Sequence, residues 1–257
     1  MTIYFGRPEV VRSVSDAILR YGDKEFYSPT RSTVPLLSLL VHAPTVFKGI
    51  VTELKMPAEH DLFLEYTVSP REGRGKASHT DVMIKSGSAA LAIEAKWTEP
   101  MYETVGEWLG GKTDSNKNRV LNGWLGMLED RLGGKLYAAH FGDSIYQMVH
   151  RAASAADSGE QPRLAYFLFK CSGINNAATT DQIVAQLRSL WFKLGKPMSF
   201  PFSVVEINIE PTKAFDDIKA LPKGEPATSE AVTAALLSET PLFQFGMPRI
   251  QRIGEVL

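Results

Sequence analysis

One cysteine, Cys171, stands in 257 residues, so no intramolecular disulfide framework can hold this chain together. A lone thiol suits a reducing compartment, and the cytoplasm is the expected, cytoplasmic, location. Long hydrophobic runs are missing too: the best, Val34 to Val41, falls far short of the roughly 20 apolar residues that cross a bilayer. The opening segment MTIYFGRPEVVRSV carries Arg7, Glu9 and Arg12 where an export signal would need an apolar stretch, so neither a signal peptide nor a membrane partner is expected. Charge of one sign is also lacking. A net charge of −1 gives no global pull toward a polyanion, so any binding to one must come from a local cluster of Lys and Arg. The histidines His42, His60, His79, His140 and His150 show no paired spacing of the zinc type. Cys171 and Ser172 lack a discernible His and Asp partner pattern, which leaves nucleophilic catalysis without support.

What is present describes an ordinary globular chain, with 44% hydrophobic and 22% charged residues and no repeat or low-complexity tract. The length fits one domain over residues 1–257, with N-terminal helices over 8–43, a core over 50–210 and a C-terminal helix and tail over 211–257. Apolar spacing predicts a helix from Pro8 to Gly22, with proline in its first turn, and a second from Ser32 to His42. DLFLEYTV, HTDVMIK and ALAIEAKW read as strands, the first two separated by the polar, glycine-bearing loop SPREGRGKASH. Helical spacing follows from Tyr102 to Leu109, Asn116 to Leu132 and Asp143 to Ala156. RLAYFLFK is a continuous apolar run of the buried-strand kind, DQIVAQLRSLWFKLG an amphipathic helix and FSVVEINI a further strand. In the tail, ATSEAVTAALLSE reads as a short helix and TPLFQFGMP as an apolar loop. Helices before, between and after a small sheet predict an α/β fold, a three-layer α/β/α-type sandwich around a central mixed β-sheet.

Charges inside otherwise apolar strands call for a reason. Side chains two apart on a strand share a face, so Glu94 and Lys96 point one way while Ala95 points the other. Pairing of the two neighbouring strands through the short connection SGSA brings Asp81 toward that face. Two carboxylates make a hard oxygen site suited to Mg²⁺ or Mn²⁺. The alternative is a solvated strand face whose ion pair is worth little. It loses ground because both strands are otherwise strongly apolar.

A strand with Asp81 in HTDVMI, a following strand with Glu94, Ala95 and Lys96 in LAIEAKW, then a helix and the buried strand RLAYFLFK resembles the PD-(D/E)XK nuclease superfamily, with its restriction-endonuclease-like fold. The topological likeness runs roughly from Asp61 to Glu210, while the residue-level motif is these few positions. The resemblance implies a metal-dependent endonuclease that hydrolyses phosphodiester bonds in DNA, in restriction, defence or repair, with Mg²⁺ or Mn²⁺ as cofactor and a homodimer as a common state. It implies that Asp81, Glu94 and the backbone carbonyl of Ala95 hold the ion and that Lys96 orients or activates the attacking water. Glu65, on the strand before Asp81, best matches the additional upstream acid, with Glu53 the runner-up. Thr80 stands where the family's nominal pattern has proline. A non-catalytic nucleic-acid- or protein-binding member of the same fold is the alternative, motivated by the near-neutral charge.

Nucleic-acid contacts are expected from Arg71, Arg74 and Lys76 on the glycine-bearing loop, and from Lys112, Lys117 and Arg119 beyond the Glu-x-Lys strand. Such phosphate contacts give affinity without sequence reading. His79 shares a face with Asp81, two residues away. Trp97, Trp108, Trp124 and Trp191 are expected to serve the core or helix packing. One rival motif exists: GEWLGGKT, from Gly106 to Thr113, satisfies the phosphate-cradling pattern G-x-x-x-x-G-K-[ST]. Its context argues against nucleotide hydrolysis, because no buried apolar strand precedes it and bulky Trp108 and Leu109 stand where amides must wrap a phosphate. Gly110 and Gly111 are better suited to ending a helix.

Overall fold

The computed structural model describes residues 1–7, 9–111, 115–174 and 178–254. In chain order the elements are β1 (Ile3–Phe5), β2 (Glu9–Val11), α1 (Val14–Ile18), α2 (Thr33–His42), α3 (Pro44–Glu53), β3 (Asp61–Val68), β4 (Ser78–Ser86) and β5 (Ala89–Lys96). There follow α4 (Val105–Leu109), α5 (Ser115–Leu132), α6 (Tyr146–Ser158), β6 (Gln161–Cys171), α7 (Thr180–Lys193), β7 (Phe202–Pro211), α8 (Lys213–Lys219), α9 (Pro226–Leu237), β8 (Phe243–Phe245) and β9 (Arg249–Ile253). The strands form one mixed sheet of nine in the order β2-β1-β3-β4-β5-β6-β7, with β8 and β9 both paired to β7. β1 runs parallel to β3, and β5, β6 and β7 run parallel to one another.

Two apolar cores form, one on each face of the sheet. On β5 the alternation is plain: Leu91, Ile93 and Ala95 join the core built with α1, α2, α3, α8 and α9, while Ala90 and Ala92 join the core built with α5, α6 and α7. Every residue of β5 is buried, as a central strand covered by helices on both sides requires. Among the described residues no single helix is long and apolar enough to cross a membrane.

The expected strands over 61–68, 79–85, 90–97, 163–170 and 202–209 all form, as do the helices expected from Ala43's neighbour His42 back to Ser32 and along α5, α6 and α7. The N-terminal expectation is corrected. No helix runs from 8 to 22: Pro8 lies outside the described residues, Glu9–Val11 is a strand, and α1 is five residues long. Gly6, at φ +62°, reverses the chain so that Tyr4 pairs with Val10, and β1 gains a full set of partners from β3 on its other side. Helix α1 then starts where Ser13 accepts the amide of Asp16. The segment TPLFQFGMP, expected as an apolar loop, contains β8, and β9 follows it; both cover the edge of β7.

One irregularity positions the site. β3 and β4 pair in constant register from Asp61↔Lys85 to Val68↔Ser78, except that the Glu65–Asp81 pairing is missing. Glu65 has φ +53°, a left-handed conformation costly to a residue with a side chain. Such a residue half-turns the strand. Leu62 and Leu64 accordingly belong to one core and Tyr66 and Val68 to the other, although regular alternation would keep all four on one face. β4 does the same at Asp81: Val82 joins the first core, whereas Ser78 reaches His150 and Arg151 of α6 on the second face. The pairing of β4 with β5 ends at Val82↔Ile93. The sheet therefore forks just where Glu65, Asp81 and Glu94 meet.

Candidate active site at the strand fork

Glu65, Asp81, Glu94, Ala95 and Lys96 line a single cleft of about 210 Å³. Asp81 is placed by the fork: with β4 diverging from β5, its Oδ2 accepts the Ala95 N–H at 2.7 Å, taking the role a strand carbonyl would have had. A strand residue's N–H and carbonyl leave the same edge, so the Ala95 carbonyl is directed to the edge on which Asp81 lies. Glu94 and Lys96 lie on a strand buried on both faces, where an unpaired charge would be expensive. Both are paired. Lys96 Nζ is 3.3 Å from Glu94 Oε1 and 4.2 Å from the centre of the Tyr102 ring.

Helix α6 closes the far side. Gln147 Nε2 donates to Glu94 Oε1 at 2.7 Å, and the buried Arg151 donates through Nε to Glu94 Oε2 and through Nη1 to Ser78 Oγ. Gln147 and Arg151 are four residues apart, so both side chains leave the same helix face. Sequence reasoning did not find them. The i, i+4 spacing was their only signal, and many solvated helix faces carry it.

The electrostatics show too many carboxylates for the cations present. Burial, together with Glu25 and Glu94, pushes the Glu65 carboxyl up to about 7, against a smaller opposing pull from Arg151. Burial, Glu94 and Glu65 hold Asp81 well above the usual carboxylate range, with Arg151 and the Ala95 amide working the other way. Burial works against the Arg151 charge, but Glu94 and Asp81 outweigh it and raise its pKa. His79 Nδ1 is 3.7 Å from Glu65 Oε2, while burial and Arg151 keep this imidazole less basic than usual.

Two further acids line the cleft and are committed to structure. Glu25 accepts from Thr33 Oγ1 and Arg31 Nη1, and Glu99 accepts the amides of Ser32 and Trp97. Glu53, the runner-up to Glu65, lies at the end of α3 and lines a different cavity. The donor set, two oxygen-rich carboxylates with unpaired oxygens plus a strand carbonyl and Glu94, suits a hard divalent ion. Thr80 Oγ1, beside Asp81, and the phenol of Tyr166, the register partner of Glu94, are buried with no hydrogen-bond partner among the described residues. Among the described residues, no three Asp, Glu, His or Cys side chains converge as ligands of one ion.

The cationic residues separate into different places. Arg74 and Lys76 stand at the rim of a larger cavity that adjoins the cleft, and Lys117 lines it. Arg71, on the same loop, turns away to Asp130 and Asp157. The loop is pinned to α5: Asn116 exchanges hydrogen bonds with the backbone of Arg74, and a Cβ at Gly123 would meet the Glu72 amide at 2.5 Å. Arg119 is exposed on α5 and lines neither cavity. Lys112, like Thr113, lies outside the described residues.

The rest of the G-x-x-x-x-G-K-[ST] segment is α4, started by a Thr104–Glu107 capping box and ended by Gly110 at φ +71°. Gly106 is helical and donates to Gly142 O, so no phosphate-wrapping turn exists over 106–111. Trp97, Trp124 and Trp191 are buried as expected, whereas Trp108 is half-buried on a cavity wall.

No curated protein and no solved structure matches the chain. Residues 11–164, more than half of the chain and all of the cleft, match the family described as Domain of unknown function (DUF6946), and the chain belongs to that family.

Proposed function

We propose that the chain is a divalent-metal-dependent nuclease of the PD-(D/E)XK type, with a restriction-endonuclease-like fold, that hydrolyses phosphodiester bonds in DNA. One observation supports the reading: Glu65, Asp81, Glu94, Ala95 and Lys96 line one cleft, where Glu65 is left-handed and β4 parts from β5. Backbone strain of this sort is kept where a site needs it.

In this reading Asp81, Glu94, Glu65 and the Ala95 carbonyl hold Mg²⁺ or Mn²⁺. The ion would supply compensation for the charge that builds on the phosphoryl oxygens. Lys96, fixed between Glu94 and the Tyr102 ring, holds and orients the attacking water from the buried end of the cleft. Arg151 holds one oxygen of Glu94 in place, and Gln147 fixes the other. Arg74 and Lys76 steer the sugar–phosphate chain toward the cleft.

The test is cleavage of DNA by the purified protein in Mg²⁺, Mn²⁺ or EDTA, beside Lys96→Ala. Cleavage is expected with either ion and not in EDTA, and a folded Lys96→Ala protein that cuts as well as the parent would sink the assignment.

A second reading, a non-catalytic binding module of the same fold, is favoured by the commitment of both Glu94 oxygens to Arg151, Gln147 and Lys96. There the guanidinium would stand in permanently for an ion. Calorimetry with Mn²⁺ separates the two, since absence of any binding heat, with or without DNA, selects the module.

A further inference from the structure

A cavity of about 620 Å³ is not used by the carboxylate chemistry. It shares Tyr102, Gln147 and Arg151 with the cleft and opens beside it. We propose that this cavity receives an unpaired nucleobase of the strand whose phosphodiester lies in the cleft, which makes the substrate class single-stranded DNA or DNA with an unstacked nucleotide. The proposal rests on the nuclease reading for what happens to the phosphate, and on its own observations for what holds the base.

The first of these is a flat, rigid aromatic wall. Trp108 and Tyr146 stack face to face with centroids 4.0 Å apart and planes 9° from parallel. Trp124 Nε1 donates to the Tyr146 hydroxyl at 3.1 Å, and the His150 ring meets Tyr146 edge-on at 5.1 Å. Tyr102, 45% exposed, stands between cavity and cleft with the Lys96 ammonium over one ring face. Aromatic side chains of this kind hold bases by stacking without reading their sequence.

The second is a polar edge suited to a base. Gln147 must turn its amide nitrogen to Glu94, which leaves its Oε1 as an acceptor with no partner among the described residues. Arg151 Nη1 approaches His150 Nδ1 at 3.3 Å and donates to Ser78 Oγ, which is 2.9 Å from the same nitrogen. A guanidinium only donates, so Nδ1 is the acceptor. Burial, Arg151 and Lys96 keep the ring neutral, and its proton therefore sits on Nε2, a donor without a partner among the described residues. Gln147 and His150 are three apart on α6 and line the same cavity, one acceptor beside one donor.

The third is the setting. The volume lies within the range of roughly 300–1,000 Å³ typical of small-ligand pockets, and the rim carries Arg74 and Lys76 for the flanking phosphates. A base paired and stacked in a duplex cannot reach the Tyr102 ring, or the Trp108–Tyr146 pair with the Lys117 ammonium over its Trp108 ring at 5.2 Å, while its phosphate reaches the acids. It has to leave the stack.

Anisotropy titrations with an oligothymidylate, an abasic sugar–phosphate chain of the same length and a blunt duplex test this on the full chain, with Ca²⁺ present. The base-bearing single strand is expected to bind about tenfold tighter than either of the others. That advantage should shrink toward unity in Trp108→Ala, and in Tyr102→Ala, a substitution at an exposed ring that leaves the fold intact if the tryptophan change does not. Equal binding of the base-bearing and abasic chains by the wild type, or an advantage that persists in both variants, overturns the proposal. Metal-dependent cleavage together with equal binding would remove the base pocket and leave the nuclease. Base-dependent binding without cleavage in any metal would do the reverse.

Discussion

The cleft at the strand fork and the cavity beside it share a wall and differ in almost everything else. The cleft is small, lined mainly by ionisable side chains and rooted in three strands, while the cavity is three times larger and walled by aromatic rings carried on helices and loops. Burial, with the neighbouring carboxylates behind it, raises the pKa of Glu65 and of Asp81, and such a site invites a cation. Rings stacked at a helix surface offer area and shape instead. Under the proposed reading the contrast is a division of labour, with chemistry where the backbone is most constrained and recognition where side chains alone set the surface.

That division can be broken most decisively by kinetics. Asp81→Asn is expected to lower kcat for DNA cleavage by about 100-fold or more, the scale of losing one preorganised electrostatic group. Trp108→Ala is expected to raise KM more than it lowers kcat. Steady-state rates on a single-stranded substrate check both, and a cavity variant that lost kcat to the same degree as Asp81→Asn would erase the distinction.

Next in size is stability. Arg151→Met strands the buried Glu94 with Lys96 as its remaining cation, and should destabilise the fold by about 3–5 kcal/mol in urea melts. The double variant Glu94→Gln with Arg151→Met should recover much of that loss. If it does not, the pair matters through packing and not through charge.

The acids of the cleft make a pH prediction with the opposite sign to ordinary salt-bridged carboxylates. Glu65 titrates at about 7 in the folded chain against 4.5 ordinarily, so between those values the folded state keeps a proton that the unfolded state releases. Its contribution to stability is full below about 4.5 and is lost as pH rises through about 7, amounting to about 1–3 kcal/mol. Asp81, raised by the same causes, acts in the same direction. Glu65→Gln should flatten the decline in melting temperature from pH 5 to 8, and Mg²⁺ should offset it in the parent. A parent whose stability climbs over that interval contradicts this electrostatic picture.

The smallest effect belongs to the loop. Arg71→Ala removes exposed pairs with Asp130 and Asp157 and should cost at most about 1 kcal/mol, with DNA affinity unchanged. Arg74→Ala should weaken DNA binding and reduce its salt dependence. Reversal of the two would mean that the loop re-orients on binding.

Legibility in the sequence followed locality. Asp81, Glu94 and Lys96 could be found because each breaks an apolar strand whose period is written in its neighbours. Glu65 could be ranked above Glu53 for the same reason. Arg71, Arg74 and Lys76 looked equivalent, because only the packing of their loop on α5 decides which of them faces the cavity. Strand β1 is three residues long and takes its stability from β3, some sixty positions away, so no local period announces it. The helix expected over 8–22 failed for the matching reason: its apolar residues served a strand pairing as readily as a helix face.

Local chemistry thus set the strand identities, the position of each charge along them and the interruption of GEWLGGKT by a helix cap. Tertiary structure alone decided that β3 and β4 turn over at Glu65 and Asp81, that Arg151 and Gln147 close on Glu94, and that Trp108 and Tyr146 wall a cavity beside them. The physical reason is range. A side chain's alternation is dictated by the residues on either side of it, but the cost of a left-handed glutamate or a buried guanidinium is repaid by groups that the chain brings together only when it folds.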